Sequence, residues 1–410
     1  RNRKKYIAIG GLVAIVVIVA VVLFFLLSGN NNESTLKNFY AQISEKKYED
    51  MYNSLSSESQ KSYDQQTFVE RNQNIYEGIE ASDFQIEVTD ETDNELTYNV
   101  KMNTIAGEVT FENKTTIEDG KIVWDDSFIF PDLTQNDRVR VSEDEAIRGQ
   151  ILDRNGKMLA GQGEAYSVGL VRGKLNGEND YDQLAGLLGL TKESIQKTMS
   201  ASWTQDDSFV PLTTIPSTDT QLENQLLQIP GVQLNTVEVR TYPYGEVTSH
   251  LTGYMQQVTA EDLEKHQGEG YTETSMIGRS GIEAAYEKQL KGTNGATISI
   301  VDENGSTKST VATQEKQDGQ DITLTIDIDL QRDLYNAFDE DQSASVAMNP
   351  TNGEVLALVS TPSFDSNDFI YGFSTEEWDA LNNDEDQPLT NRFRATWVPG
   401  STMKAITAAI

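Results

Sequence analysis

The run WVPGSTMKAITAAI at residues 397–410 sets Ser401 and Lys404 three positions apart. On a helix that spacing puts a hydroxyl and an amine on one face. A serine hydroxyl is a weak nucleophile until a base takes its proton, so the pair fits covalent catalysis with Ser401 as nucleophile and Lys404 as general base. Spacing alone decides nothing, because Ser34/Lys37, Ser44/Lys47 and Ser194/Lys197 repeat it. Those three pairs lie in polar, amphipathic stretches where a lysine turns to water. After Lys404 comes AITAAI, without a charge, and a helix apolar on all sides is expected in the core of its domain. A lysine there gives up hydration, which favours the neutral amine that a base requires. Pro399-Gly400 sets the helix start at or near Ser401. The Ser401 N–H is then one of the unpaired first-turn amides, available to a developing oxyanion. The competing reading is a capping serine beside a lysine that snorkels to solvent.

The elements that would hold this pair begin near residue 321. DITLTIDIDLQRDLYNAF predicts a strand ending at Ile326, then a helix through Phe338 capped by Asp327 or Asp329. SASVAMNPTNGEVLALVSTPSFD predicts a long hairpin turned at Asn349-Pro350-Thr351-Asn352-Gly353. Ser374-x-x-Glu377 is a capping box, and NRFRATWVPG leads into the final helix. Upstream, residues 165–320 read as mixed α and β. They include a helix from about Ile282 to Leu290, a strand in NGATISIVDENG and a polar connector in STKSTVATQEKQDGQD. IRGQILDRNGKMLA predicts a hairpin turned at Asn155-Gly156, with buried-looking charges at Arg148, Asp153 and Arg154.

Residues 33 to about 80 carry three helical stripes. The first is Leu36, Phe39, Tyr40 and Ile43, with Ser34 as N-cap. The second is Tyr48, Met51, Tyr52 and Leu55, and the third lies in QTFVERNQNIYEGI. The period then falls to two in FQIEVTD, ELTYNVKMN, GEVTFENKTTI and KIVWD, with turns at Asp93-Asn94 and Asp119-Gly120. Three short helices and an antiparallel meander make an α+β unit with no catalytic constellation, which suits a spacer or docking module.

Tyr6 to Leu27 runs for 22 residues without a charge, about 33 Å as a helix and enough to cross a bilayer core. Arg1, Arg3, Lys4 and Lys5 precede it, and SGNNNEST, just after it, has no basic residue. The positive-inside rule therefore predicts a single-pass cell-membrane protein, N-terminus cytoplasmic and the rest extracellular. With no cysteine, disulfides and thiol chemistry are excluded. A net charge of −33 repels nucleic acid and anionic lipid heads. No metal or cofactor is expected. His250 and His266 have no ligand pattern around them, and no phosphate-binding glycine loop occurs.

RFRATWVPGSTMK resembles the active-site serine segment of class B penicillin-binding proteins, the D,D-transpeptidases that cross-link peptidoglycan. IRGQILDRNGKMLA, RTYPYGEVTSHLTGYMQ and GRSGIEAAYEKQLKGTNG resemble their pedestal (dimerisation) domain, and SVAMNPTNGEVLALVSTPSFD the opening strands of their transpeptidase domain. The segment before residue 130, ending in WDDSFIFPDL, is similar to the cone-shaped, nuclear-transport-factor-like module of the low-affinity, β-lactam-tolerant Gram-positive subgroup. The resemblance implies a multidomain α+β protein. Its parts would be a basic tail (1–5), a transmembrane signal anchor (6–27), the cone domain (28–140), the pedestal (141–320) and the first part of an α/β transpeptidase domain (321–410). It implies that Ser401 is acylated by the D-Ala-D-Ala end of a stem peptide, with Lys404 as base and the Ser401 amide in the oxyanion hole, and that β-lactams trap the same serine. The implied partners are peptidoglycan stem peptides, β-lactams, the cytoplasmic membrane, and a glycosyltransferase or division or elongation proteins, with a role in β-lactam tolerance. The family's Ser-x-Asn and Lys-Thr/Ser-Gly motifs do not follow Lys404. The 410 residues are therefore expected to be the N-terminal portion of a longer protein, inactive by themselves. Two other readings use the same features: a membrane-tethered scaffold that recruits cell-wall proteins, and a β-lactam sensor or serine β-lactamase.

Overall fold

The computed structural model describes residues 32–174, 177–201, 204–266 and 268–410, so the expected span at 6–27 lies outside the described residues. Among the described residues no helix is long and apolar enough to cross a membrane. The chain forms two compact units, one from residues up to 145 together with 294–317, the other from 146–293 with 318–410.

In the first unit the apolar stripes become helices. Asn32–Ser44 buries Leu36, Phe39, Tyr40 and Ile43. Ser34 lies inside this helix and is not its N-cap. Tyr48–Asn53 and Gln65–Gly78 follow the other two stripes, the latter capped by Asp64, whose carboxylate accepts the Thr67 N–H at 3.0 Å. A further helix, Ser57–Ser62, was not expected. It has one turn and a half of polar sequence, too short to show a period, and rests on the Ser56 cap.

The meander folds as an antiparallel sheet in chain order: Ser82–Thr92, Glu95–Thr104, Gly107–Glu118 and Lys121–Ile122. Leu96, Tyr98, Val100 and Met102 alternate into the core with Phe39, Tyr40 and Phe128. Asp93 and Asn94 have φ of 49° and 73°, the left-handed pair that a two-residue hairpin turn requires.

The expected polar connector is instead a strand, Thr307–Gln314. It pairs with Gly295–Val301, which pairs on its other side with Arg138–Asp144. Ile298 and Ile300 are buried in the same core as the helices. Residues 294–317 thus pack with the first unit, across the contiguous 141–320 stretch expected from sequence. The pairing partner lies about 150 residues upstream, where a local pattern carries no trace of it.

In the second unit Met158–Val171 is the central strand. Phe209–Pro216 and Val232–Thr241 flank it antiparallel, and Ile151–Leu152 and Ile322–Thr323 extend the sheet at one end. Helices Glu178–Leu188, Lys192–Met199 and Thr220–Leu226 cover a core of Val168, Leu170, Ile195 and Leu226. The helix expected over 282–290 is two short ones, Gly281–Ala285 and Glu287–Lys291, broken at Tyr286 (φ −116°, ψ 23°). Helix Ile328–Asn336 is capped by Asp327, not Asp329, and ends two residues short of Phe338. It packs against the predicted hairpin, Ser343–Met348 with Val355–Thr361, in which Ser345 faces Val359.

Candidate active site

The scaffold around the serine segment is tied together by buried polar groups of the second unit. The Asp153 carboxylate is fully buried and accepts the N–H groups of Asn155 and Lys157, both at 2.8 Å, and of Ile328 at 3.3 Å. One carboxylate therefore shapes the Asn155-Gly156 turn and also meets the start of helix Ile328–Asn336. Lys157 pairs with Asp329 at 2.6 Å and Arg154 with Glu354 at 3.3 Å. On the same helix Gln331 is buried. Its Nε2 donates to the carbonyls of Val247 and Leu358, and its Oε1 accepts the Leu358 N–H at 2.7 Å.

A second cluster centres on Glu283, which is fully buried. It accepts from Arg148 Nε at 2.8 Å, Arg240 Nε at 2.7 Å and the Tyr242 hydroxyl at 3.3 Å. Arg148 also forks onto Glu287. Burial would raise the Glu287 carboxyl, but hydrogen bonds and charge from Arg148 outweigh it and hold the group below its ordinary value. The buried-looking charges of the sequence are thus buried at Arg148 and Asp153, whereas Arg154 is exposed.

The approach to Ser401 is an irregular stretch anchored by Arg392, itself buried. Its guanidinium donates to the carbonyls of Asp386, Gln387 and Thr390, and its N–H to Ser360 Oγ at 3.0 Å. The Trp397 indole N–H then reaches back to the Arg392 carbonyl at 3.0 Å. Beside this stretch lies a cavity of about 820 Å³, walled by His250, Tyr254, Phe364, Phe369, Trp378 and Phe393 among others. Burial pushes the His250 ring down to about 4, against bonds to the Pro388 and Pro362 carbonyls that pull upward, and the Arg392 charge adds to the lowering. Burial and the carboxylates of Asp365, Glu377 and Glu246 raise Asp368 to about 6.

These two shifts oppose each other in acid. Below the ordinary histidine value of 6.5 the unfolded chain takes up a proton that folded His250 refuses down to about 4, so stability falls with pH in that window. Asp368 holds a proton in the fold below about 6 that the unfolded chain does not bind until near 3.8, so it contributes stability as pH falls. Asp368→Asn is therefore expected to widen the gap between urea midpoints measured at pH 7 and at pH 4.5. An unchanged or narrower gap would refute the assignment.

Ser401 sits in a 3₁₀ turn, Gly400–Met403, that runs into helix Lys404–Ala409. Gly400 has φ of 53°, a left-handed conformation that glycine adopts without strain. The turn's first bond runs from the Thr402 N–H to the Pro399 carbonyl at 3.2 Å. The Ser401 N–H precedes it, among the amides without an intrahelical acceptor. Among the described residues no hydrogen bond joins Ser401 to Lys404. Lys404 is exposed, as are the residues from Arg394 onward, AITAAI included. Sequence reading did not find Arg392 or His250 as supports of this segment. Their partners are carbonyls, which leave no mark in the side-chain pattern.

Three family models match the chain in order: the NTF2-like N-terminal transpeptidase domain at residues 31–137, the penicillin-binding protein dimerisation domain at 143–324, and the penicillin-binding protein transpeptidase domain at 343–410. Penicillin-binding protein 3 of Bacillus subtilis is 39% identical over 396 residues, covering 92% of this chain and 59% of the relative. The peptidoglycan D,D-transpeptidase MrdA of Escherichia coli K12 is 32% identical over 288 residues, covering 67% of this chain and 45% of the relative. This chain therefore spans about half the length of the curated relatives it matches. Among solved structures, the complex between penicillin-binding protein PBP2 and MreC from Helicobacter pylori aligns at a TM-score of 0.50 with 26% identity, over 65% of this chain and 51% of that one. With an NTF2-like N-terminal domain, a dimerisation domain and the start of a transpeptidase domain in that order, the chain belongs to the penicillin-binding proteins.

Proposed function

We propose that the full-length gene product is a peptidoglycan D,D-transpeptidase that works by serine acyl transfer. The observation that carries this is the position of Ser401-x-x-Lys404 inside the stretch that matches the transpeptidase domain. In this reading Lys404 takes the Ser401 proton as Oγ attacks the carbonyl between the last two D-Ala residues of a stem peptide. The Ser401 amide steadies the oxyanion, and the leaving D-Ala amine carries a proton away. An amine of a second stem peptide then attacks the acyl-serine, releasing Ser401 and forming the cross-link. A β-lactam acylates the same oxygen, with ring opening in place of departure.

The same reading assigns 6–27 as a membrane anchor with the N-terminus cytoplasmic, 28–140 as the cone domain, 141–320 as the pedestal and 321–410 as the opening of the transpeptidase domain. The pedestal lends residues 294–317 to the first unit. Glycosyltransferase, division or elongation proteins are the partner class, which the solved complex of a related protein with MreC supports. Mass spectrometry of the full-length protein after penicillin treatment tests the chemistry. A covalent adduct on the peptide containing Ser401 is expected, and an adduct only on another residue, or none, would overturn the assignment.

A further inference from the structure

We propose that His250 is a positioning residue for the reaction of Ser401, holding in place the stretch 386–395 from which the serine turn projects. The inference rests on the reading of Ser401 as nucleophile. It starts from the bonds that tie the stretch before that turn to the second unit. From Arg394 onward the side chains are exposed, so the last buried residue before Ser401 is Arg392. Arg392 binds mainly carbonyls of its own loop, at Asp386, Gln387 and Thr390. Those bonds make the loop rigid but do not fix it to the body of the unit.

Bonds from three places do. Gln342, just before the hairpin, donates from Nε2 to Asp386 Oδ1 at 2.9 Å. Ser360, on the hairpin, accepts the Arg392 N–H at 3.0 Å and donates to the Thr390 carbonyl at 3.4 Å. The others come from His250, on the short, wholly buried helix Ser249–Thr252. His250 Nε2 lies 2.9 Å from the Pro388 carbonyl. A carbonyl only accepts, so Nε2 carries the proton and donates it. Asn391 Nδ2 returns a bond to the His250 carbonyl at 3.2 Å. The imidazole also meets Phe364 edge-on, with centroids 5.1 Å apart, and Phe393, the residue after Arg392, at 6.4 Å. One ring thus touches the loop both before and after Arg392. His250 also lines the cavity beside the loop, together with Leu389, Asn391 and Phe393. A shift of about 1 Å in a reacting group costs roughly 10²-fold in rate, so an anchor this close to the nucleophile's stem acts on chemistry without touching substrate.

His250→Leu keeps the bulk and removes the donor, whereas His250→Gln offers an amide N–H in its place. Both are made in the full-length protein and compared with wild type by the acylation rate with a fluorescent penicillin, by its non-covalent affinity, and by amide hydrogen exchange. Leu is expected to slow acylation at least about tenfold, leave initial affinity within about twofold, and raise exchange in 389–398 above that of the central sheet. Gln is expected to restore most of the rate. Wild-type acylation in His250→Leu, or an even rise of exchange through the whole unit, would make His250 a core residue only and overturn the inference. An acyl adduct away from Ser401 would defeat the nucleophile assignment instead, and exchange in 389–398 would still decide whether His250 anchors the loop.

Discussion

Lys404→Met in the full-length gene product is expected to slow acylation by penicillin about 10²–10⁴-fold, the range in which a positioned general base contributes. Methionine keeps the chain length and helix propensity, so the change removes the amine and little else. Ser401→Ala is expected to abolish the covalent adduct, because the other hydroxyl on the turn Gly400–Met403, that of Thr402, is turned back onto the Pro399 carbonyl. The two effects should not add, since a base without its nucleophile has nothing to activate. The measurement is the time course of fluorescent-penicillin labelling, read by gel for each variant. A Lys404→Met protein labelling within threefold of wild type would remove Lys404 from the mechanism and leave the capping-serine reading standing.

Glu283→Ala is expected to cost the second unit about 3–5 kcal/mol, the usual result of removing one partner from a buried ion pair. The carboxylate is fully buried, and Arg148 and Arg240, its two charged partners, keep only 12% and 6% of their side-chain surfaces in contact with solvent. Without Glu283, Arg148 retains Glu287, but Arg240 is left with the Gly149 carbonyl at 2.8 Å as its acceptor. Equilibrium urea unfolding checks this, with Glu283→Gln as the control that keeps shape and acceptor oxygen while losing charge. Gln should fall between wild type and Ala. A loss below 1 kcal/mol for Ala would show that the cluster is dispensable to stability.

Periodic elements were legible from sequence wherever one face meets the core. Leu36, Phe39, Tyr40 and Ile43 all turned inward, and Leu96, Tyr98, Val100 and Met102 kept strict alternation. Boundaries were less legible where a side chain competes locally, as at Ser34, which the helix overran, and at Tyr286, where a bend divides one helix into two. Thr307–Gln314 escaped because its stability comes from a partner strand rather than from its own apolar face. At the candidate site, residue types and family resemblance singled out Ser401 and Lys404. The expected burial rested on the apolarity of AITAAI, and apolarity states a need for cover without supplying it. The His250–Pro388 bond joins positions 138 residues apart through a backbone carbonyl, which every residue type possesses.

The strand Arg138–Asp144 pairs with Gly295–Val301, and this sets an order on synthesis. A ribosome delivering the chain N-terminus first produces the helices and the meander early, yet must add some 150 residues before that strand meets its neighbour. At about 5–20 residues per second, the nascent protein carries an unpaired strand edge for roughly 8–30 seconds. Open edges of this kind recruit other strands. The arginines at 138 and 140 and the acids from Glu143 to Glu145, lying on or next to that strand, are the residue types that discourage such recruitment while the rest of the chain is still being made.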